Sequence, residues 1–215
     1  MNKKLIIFDL DGTILDTSEG IKSSVKHAIA EFGLDIPSED ILDTFIGPPI
    51  QWSLQAFYGL TDERVTLISQ VFRDRYKTVD LFKATPYYGL IDVLEYLRRK
   101  GIKTAVATYK REDYTKLLLE HFGITKYLDI ICGSDFEGKL RKKDIILNVI
   151  KEAGVDLKDT VMLGDTILDA EGAEIIGVDF IAVTYGFGLK TKEELKKANS
   201  KFIIKNIKEV IEIIN

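Results

Sequence analysis

The chain has 215 residues, 46% of them hydrophobic, and its 30 lysines and arginines against 34 aspartates and glutamates leave a net charge of −4. That length suits one large domain or a core domain with a small insert, and the mild acidity argues against a nucleic-acid or membrane-surface partner, each of which favours a basic face. A lone cysteine, Cys132, excludes an internal disulfide and points to a cytoplasmic protein in which this thiol is buried and inert.

The first element, Leu5-Ile6-Ile7-Phe8, reads as a buried strand. It runs into Asp9-Leu10-Asp11-Gly12-Thr13, so no leader peptide is read there, and nowhere does an apolar run reach membrane-spanning length. Side chains two apart in extended chain point the same way, so Asp9 and Asp11 crowd each other at the strand end and call for a compensating cation. An Asp-Gly turn explains Asp11 and Gly12 but not Asp9. A calcium loop fails, because its glycine belongs at the sixth position and its glutamate at the twelfth, whereas counting from Asp9 this chain has Gly12 fourth and Gly20 twelfth. Burying two unpaired acids is costly enough to favour a chemical role.

Ser18 to Phe32 carries apolar Ile21, Val25, Ala28, Ile29 and Phe32 at helical spacing, and Gly33 ends it. From Pro37 to Lys83 no strand pattern appears: a short helix follows Ser38, Gly47-Pro48-Pro49 breaks the chain, and a longer helix runs from Thr61 to about Lys77. Residues 16–83 therefore read as an all-helical insert, and residues 1–15 with 84–215 as the body. In the body, helices at Leu90–Lys100, Arg111–Phe122, Lys142–Ala153 and Ile167–Ile176 alternate with strands at Ile102–Ala107, Asp129–Cys132, Thr160–Leu163 and Phe180–Val183. Helices around Glu193 and Val210, with a strand at Phe202-Ile203, complete the pattern. The fold class is α/β, a Rossmann-like parallel sheet with helices on both faces and an inserted helical cap.

Ligands bind such sheets at the carboxyl ends of the strands. There the chain places Asp9 and Asp11, Thr108, Gly133-Ser134, Gly164-Asp165 and the glycines Gly186 and Gly188. Asp169, four residues after Asp165, shares its face of the opening helix. Alone, Asp165 and Asp169 read as a helix cap and a first-turn acid. Together with Asp9 and Asp11 they form a set that an oxygen-seeking cation such as magnesium holds together. Thr108 before helix-opening amides suits an anion or a plain cap equally. The run Lys139-Leu140-Arg141-Lys142-Lys143 reads as a solvated basic face that also offers the missing positive charge. His27, His121 and Trp52 read as structural.

In this order, Asp9-Leu10-Asp11-Gly12-Thr13, Thr108, a lysine of the basic run and Gly164-Asp165-Thr166-Ile167-Leu168-Asp169 resemble the four motifs of the haloacid dehalogenase superfamily, phosphatase branch. Phe45-Ile46-Gly47-Pro48-Pro49, Pro86-Tyr87-Tyr88-Gly89 and Thr184-Tyr185-Gly186-Phe187-Gly188 resemble its phosphoglycolate phosphatase group. The resemblance implies a magnesium-dependent phosphatase for a small phosphorylated metabolite. Asp9 is then the nucleophile that forms an aspartyl-phosphate and Asp11 the general acid and base. Asp9, Asp165 and the backbone carbonyl of Asp11 are then the metal set, with Asp169 helping to hold the metal shell or orienting the lysine, and Thr108 and a lysine bind the phosphoryl oxygens. Many relatives place proline after that lysine, which this run lacks. Spacing from Gly133-Ser134 selects Lys143, with Lys142 and Lys139 as alternatives. A phosphomutase like beta-phosphoglucomutase, a nucleotidase or pyrophosphatase, and a non-enzymatic phospho-accepting module share parts of this pattern. Oligomeric state is not legible.

Overall fold

A computed structural model describes residues 1–135 and 139–214. Its body is one six-stranded parallel sheet in the order β5-β4-β1-β6-β7-β8, built from β1 (Leu5–Phe8), β4 (Lys103–Arg111), β5 (Ile130–Ser134), β6 (Thr160–Gly164), β7 (Asp179–Val183) and β8 (Phe202–Ile204). The uninterrupted apolar run of β1 is explained by its place at the centre. Ile7 pairs with Ala105 of β4 on one side and Met162 of β6 on the other, and Leu5 through Phe8 have no exposed surface. Alternate residues face opposite layers. Ile6 and Phe8 join the core under α5 (Leu90–Arg99) and α6 (Glu112–His121), while Leu5 and Ile7 pack with residues of α7 (Lys142–Ala153) and α8 (Ile167–Ile176). The short helices α9 (Lys192–Lys197) and α10 (Glu209–Ile214) flank β8.

The helical cap is inserted between two two-residue strands, β2 (Leu15–Asp16) and β3 (Thr85–Pro86), which pair antiparallel and form the stem through which the chain leaves and re-enters the body. Two-residue strands have no sequence period to detect, and none was expected here. The cap holds α1 (Ser18–Glu31), α2 (Glu39–Asp43), α3 (Ile50–Tyr58) and α4 (Asp62–Arg75), the last continuing as a π-helical turn over Tyr76–Asp80. Helix α3 follows the Gly-Pro-Pro break, and Pro49 is its one start signal. Among the described residues no helix is long and apolar enough to cross a membrane.

Asp80 fastens the cap to its stem. Its fully buried carboxylate accepts from Ser24 Oγ of α1 at 2.9 Å and Arg75 Nε at 3.0 Å, and pairs with Lys83 Nζ at 2.8 Å. Burial pushes this carboxyl up, but the hydrogen bonds from Lys83, Arg75 and Ser24 outweigh it and hold Asp80 at about 2. Because the folded value lies below the unfolded one of about 4, this stabilisation is present above pH ~4 and is lost as pH falls toward 2. Asp80→Asn is therefore expected to cost about 1–3 kcal/mol at neutral pH and to flatten the acid limb of a plot of Tm against pH. An unchanged acid limb would show that Asp80 is not a principal acid-sensitive contact.

Candidate active site

Asp9 follows the last residue of β1, and Asp165 follows the last residue of β6, its sheet neighbour. Asp169 lies in the first turn of α8. Carboxylate oxygens of these three buried acids lie within 4.8 Å of one another. The chain has to be glycine-rich to bring them so close. A Cβ on Gly12, which adopts φ +78°, would stand 2.3 Å from Asp165 Oδ2, and one on Gly186 would meet the same carboxylate at 2.4 Å. Asp165 Oδ2 accepts the backbone N–H of Phe187 at 2.6 Å and of Gly188 at 3.2 Å, which fixes its orientation.

Asp169 performs two tasks. Its Oδ2 accepts from the amide and hydroxyl of Thr166, closing a capping box, so Asp169 is a first-turn acid as expected, while the helix cap is Thr166 and not Asp165. Its Oδ1 pairs with Lys142 Nζ at 2.6 Å, and the same ammonium donates to Asp9 Oδ1 at 2.6 Å. This corrects the expectation for the basic run. Lys142, almost wholly buried, is the lysine that reaches the acids, whereas Lys143 is half-exposed and has no contact with them, and Lys139 is exposed. The reason is helical phase. Residues three, four, seven, eight and eleven after Lys142 are Ile145, Ile146, Val149, Ile150 and Ala153, the buried stripe of α7, so Lys142 lies on the inward face.

Asp11 faces a second lysine that the sequence reading passed over. Lys110 Nζ lies 3.1 Å from Asp11 Oδ1 and donates to the hydroxyl of Tyr76, in the cap, at 2.9 Å. Thr17 Oγ1 also donates to Asp11 Oδ1, at 2.7 Å. The Asp11 carboxylate is thus outside the three-acid cluster, and any contribution it makes to a cation comes through its backbone carbonyl. Lys110 reaches Asp11 because β4 runs on to Arg111 rather than ending at Ala107, where its apolar stretch stops. Thr108, itself buried, accepts the amide of Lys110 at 3.2 Å. The cation demanded by Asp9 and Asp11 is therefore two lysines, one for each acid.

Even so the site is short of positive charge. Burial, then Asp169 and Asp9, push Asp165 up to about 8 against the amides of Phe187 and Gly188. Asp9 is also raised, by burial first, with Lys142 opposing and Asp169 and Asp11 adding to it. For both lysines burial acts downward, but the neighbouring acids outweigh it and hold Lys142 and Lys110 above the ordinary range. Three buried hard-oxygen donors, of which Asp9 and Asp165 have raised affinity for protons, are a donor set suited to a divalent cation such as magnesium. Cys132, by contrast, is driven to about 11, chiefly by burial, as an inert thiol should be.

Beside this cluster the cap and β4 line a partly enclosed cavity of about 130 Å³ reached by Asp11 and Lys110, with Gly47–Gln51 and Tyr76 from the cap and Tyr109 from β4 among its walls. Trp52 packs edge-on to Tyr109 at 5.7 Å, and the Tyr109 hydroxyl accepts the amide of Lys142, linking α3 of the cap to the lysine.

Residues 6–183 match the family of haloacid dehalogenase-like hydrolases. A 5'-nucleotidase of Pseudomonas aeruginosa is 33% identical over 192 residues, covering 89% of this chain and 86% of that protein. A phosphoglycolate phosphatase of Agrobacterium fabrum is 35% identical over 191 residues, covering 85% and 81%. The crystal structure of a predicted phosphatase from Clostridium acetobutylicum superposes with a TM-score of 0.93 at 34% identity, over 100% of this chain and 99% of that one.

Proposed function

Because the chain belongs to the haloacid dehalogenase-like hydrolase family and is a phosphatase of it, we propose that it hydrolyses a small phosphomonoester, in the manner of a phosphoglycolate phosphatase, through an aspartyl-phosphate on Asp9 with magnesium as cofactor. The observation that carries this reading is the bridge Asp9–Lys142–Asp169 beside Asp165, at the carboxyl ends of two adjacent central strands.

Asp9 attacks phosphorus along the axis of the ester bond while Asp11, on the cavity side, gives its proton to the departing oxygen. As a carboxylate Asp11 then takes a proton from the water that cleaves the acyl phosphate, restoring Asp9. Lys142 and Thr108 bind the phosphoryl oxygens, whose charge grows in the transition state, and Asp169 holds the ammonium in place. Asp9, Asp165, Asp169 and the Asp11 carbonyl would hold the magnesium ion, which supplies the positive charge that lets a carboxylate approach a phosphate dianion.

Phosphate release from p-nitrophenyl phosphate and a panel of natural esters, with magnesium and with a chelator, tests the activity. Stability supplies an independent check. Asp165 at about 8 and the raised Asp9 keep protons in the metal-free folded state that the unfolded chain, with values near 4, has released. Metal-free stability therefore falls as pH rises from ~4 toward 8, and magnesium relieves that loss. The rise in Tm on adding magnesium is expected to be larger at pH 8 than at pH 5. An equal or reversed shift would contradict the assignment of these acids as ligands.

A further inference from the structure

The cavity beside Asp11 carries a charge that the mechanism does not use. Arg73, on the last turn of α4, lines it half-buried and, among the described residues, has neither a hydrogen-bond nor an ion-pair partner. Arg111, at the end of β4, lines the same cavity, with its guanidinium 4.3 Å over the ring of Tyr114 and paired to the exposed Asp113. Burial first, and the neighbouring Arg111 second, hold Arg73 below the ordinary arginine range. Two guanidiniums thus share a partly enclosed space, and one has no hydrogen-bonded or ion-paired acid, only the exposed Asp74 acting on it through space, an arrangement that costs free energy until an anion enters. The other charges on the walls are engaged: Lys110 with Asp11, and the Asp135 carboxylate with the amide of Lys139.

Asp11 protonates the leaving oxygen under the proposed function, so the group attached to that oxygen must occupy this cavity. We infer that Arg73, with Arg111 beside it, is a subsite for an anionic group on the leaving alcohol, so that the substrate is a small phosphate ester bearing a second oxyanion. The inference rests on the phosphatase reading and narrows it. A volume of about 130 Å³ has room for a leaving group of a few heavy atoms with a carboxylate or second phosphoryl, whereas a nucleoside brings no anion to meet the guanidiniums. An arginine fork suits both oxyanions.

The test is initial-rate kinetics at saturating magnesium with phosphoglycolate, pyrophosphate, ethyl phosphate and a nucleoside 5'-monophosphate, on the wild type, Arg73→Met and Arg73→Lys. Wild-type kcat/KM for phosphoglycolate or pyrophosphate is expected to exceed that for ethyl phosphate, a neutral ester of similar size, at least about tenfold. Arg73→Met should erase most of that preference through KM while changing ethyl phosphate turnover less than about threefold, and Arg73→Lys should restore part of it. Dependence on Arg73 for phosphoglycolate alone identifies a carboxylate as the anion; dependence for pyrophosphate identifies a second phosphoryl. Hydrolysis of ethyl phosphate with no preference for either anion, or equal loss on all substrates in Arg73→Met, overturns the subsite and leaves the phosphatase reading standing. Failure of the wild type on every ester, p-nitrophenyl phosphate included, overturns both.

Discussion

Asp9→Asn is expected to lower phosphate release by at least about 10⁴-fold while leaving the protein folded. Asparagine keeps the shape of the side chain but cannot attack phosphorus. The fold tolerates the change because Asp9 is disfavoured as an anion where it stands: it is buried, and Asp169 and Asp11 repel it. Removing its charge takes one acid from a crowded cluster and leaves Lys142 its second partner, Asp169, at 2.6 Å. The Tm without metal should therefore stay level or rise, while the stabilisation by magnesium shrinks. Circular dichroism, melting curves and phosphate release on one preparation measure all three. Activity within tenfold of wild type would remove Asp9 from the role of nucleophile.

The second large effect belongs to Lys142. Lys142→Ala is expected to cut kcat by about 10²–10³-fold, the cost of removing a donor aimed at charge that develops in the transition state, whereas Lys143→Ala should stay within about threefold. The same substitution strands Asp9 and Asp169 in a buried site, and breaking a buried pair in this way typically costs about 3–5 kcal/mol. Rates are therefore compared at saturating magnesium and well below each variant's Tm. Lys142→Arg is a useful companion, since it keeps the charge but not the compact ammonium that fits between two carboxylates 2.6 Å away on either side. A mild effect at Lys142 beside a severe one at Lys143 would contradict the geometry.

This pair of lysines shows what the sequence could and could not disclose. The parallel α/β body was legible because β1, β4, β6 and β7 are short apolar runs between amphipathic helices, and that alternation admits few other folds. The acids at the strand ends were legible because carboxylates after an apolar strand are costly and demand an explanation. Which lysine answered them was harder, since adjacent residues on a helix point about 100° apart and spacing from Ser134 fixes a side chain no better than one position. The buried stripe Ile145, Ile146, Val149 and Ile150 held the answer, and following it back one turn leads to Lys142 rather than Lys143. Lys110 went unread because the strand that presents it continues past its apolar part, through a register shift between Ala107 and Arg111. The stem strands β2 and β3, with two residues each, were beyond any periodicity. Arg73 and Arg111 come together only when the cap folds back over β4, a relation set by tertiary packing and written in no local pattern.

The most direct test of the account is to stop the reaction by rapid acid quench in the presence of magnesium and substrate, then locate the covalent phosphoryl group by peptide mass spectrometry. The account predicts a hydroxylamine-labile phosphoryl group on Asp9, absent without magnesium and absent in Asp9→Asn, and longer-lived in Asp11→Asn, where the water that clears it lacks its base. Steady turnover with no phosphoryl group on Asp9 at any quench time, or with one on another residue, would contradict it.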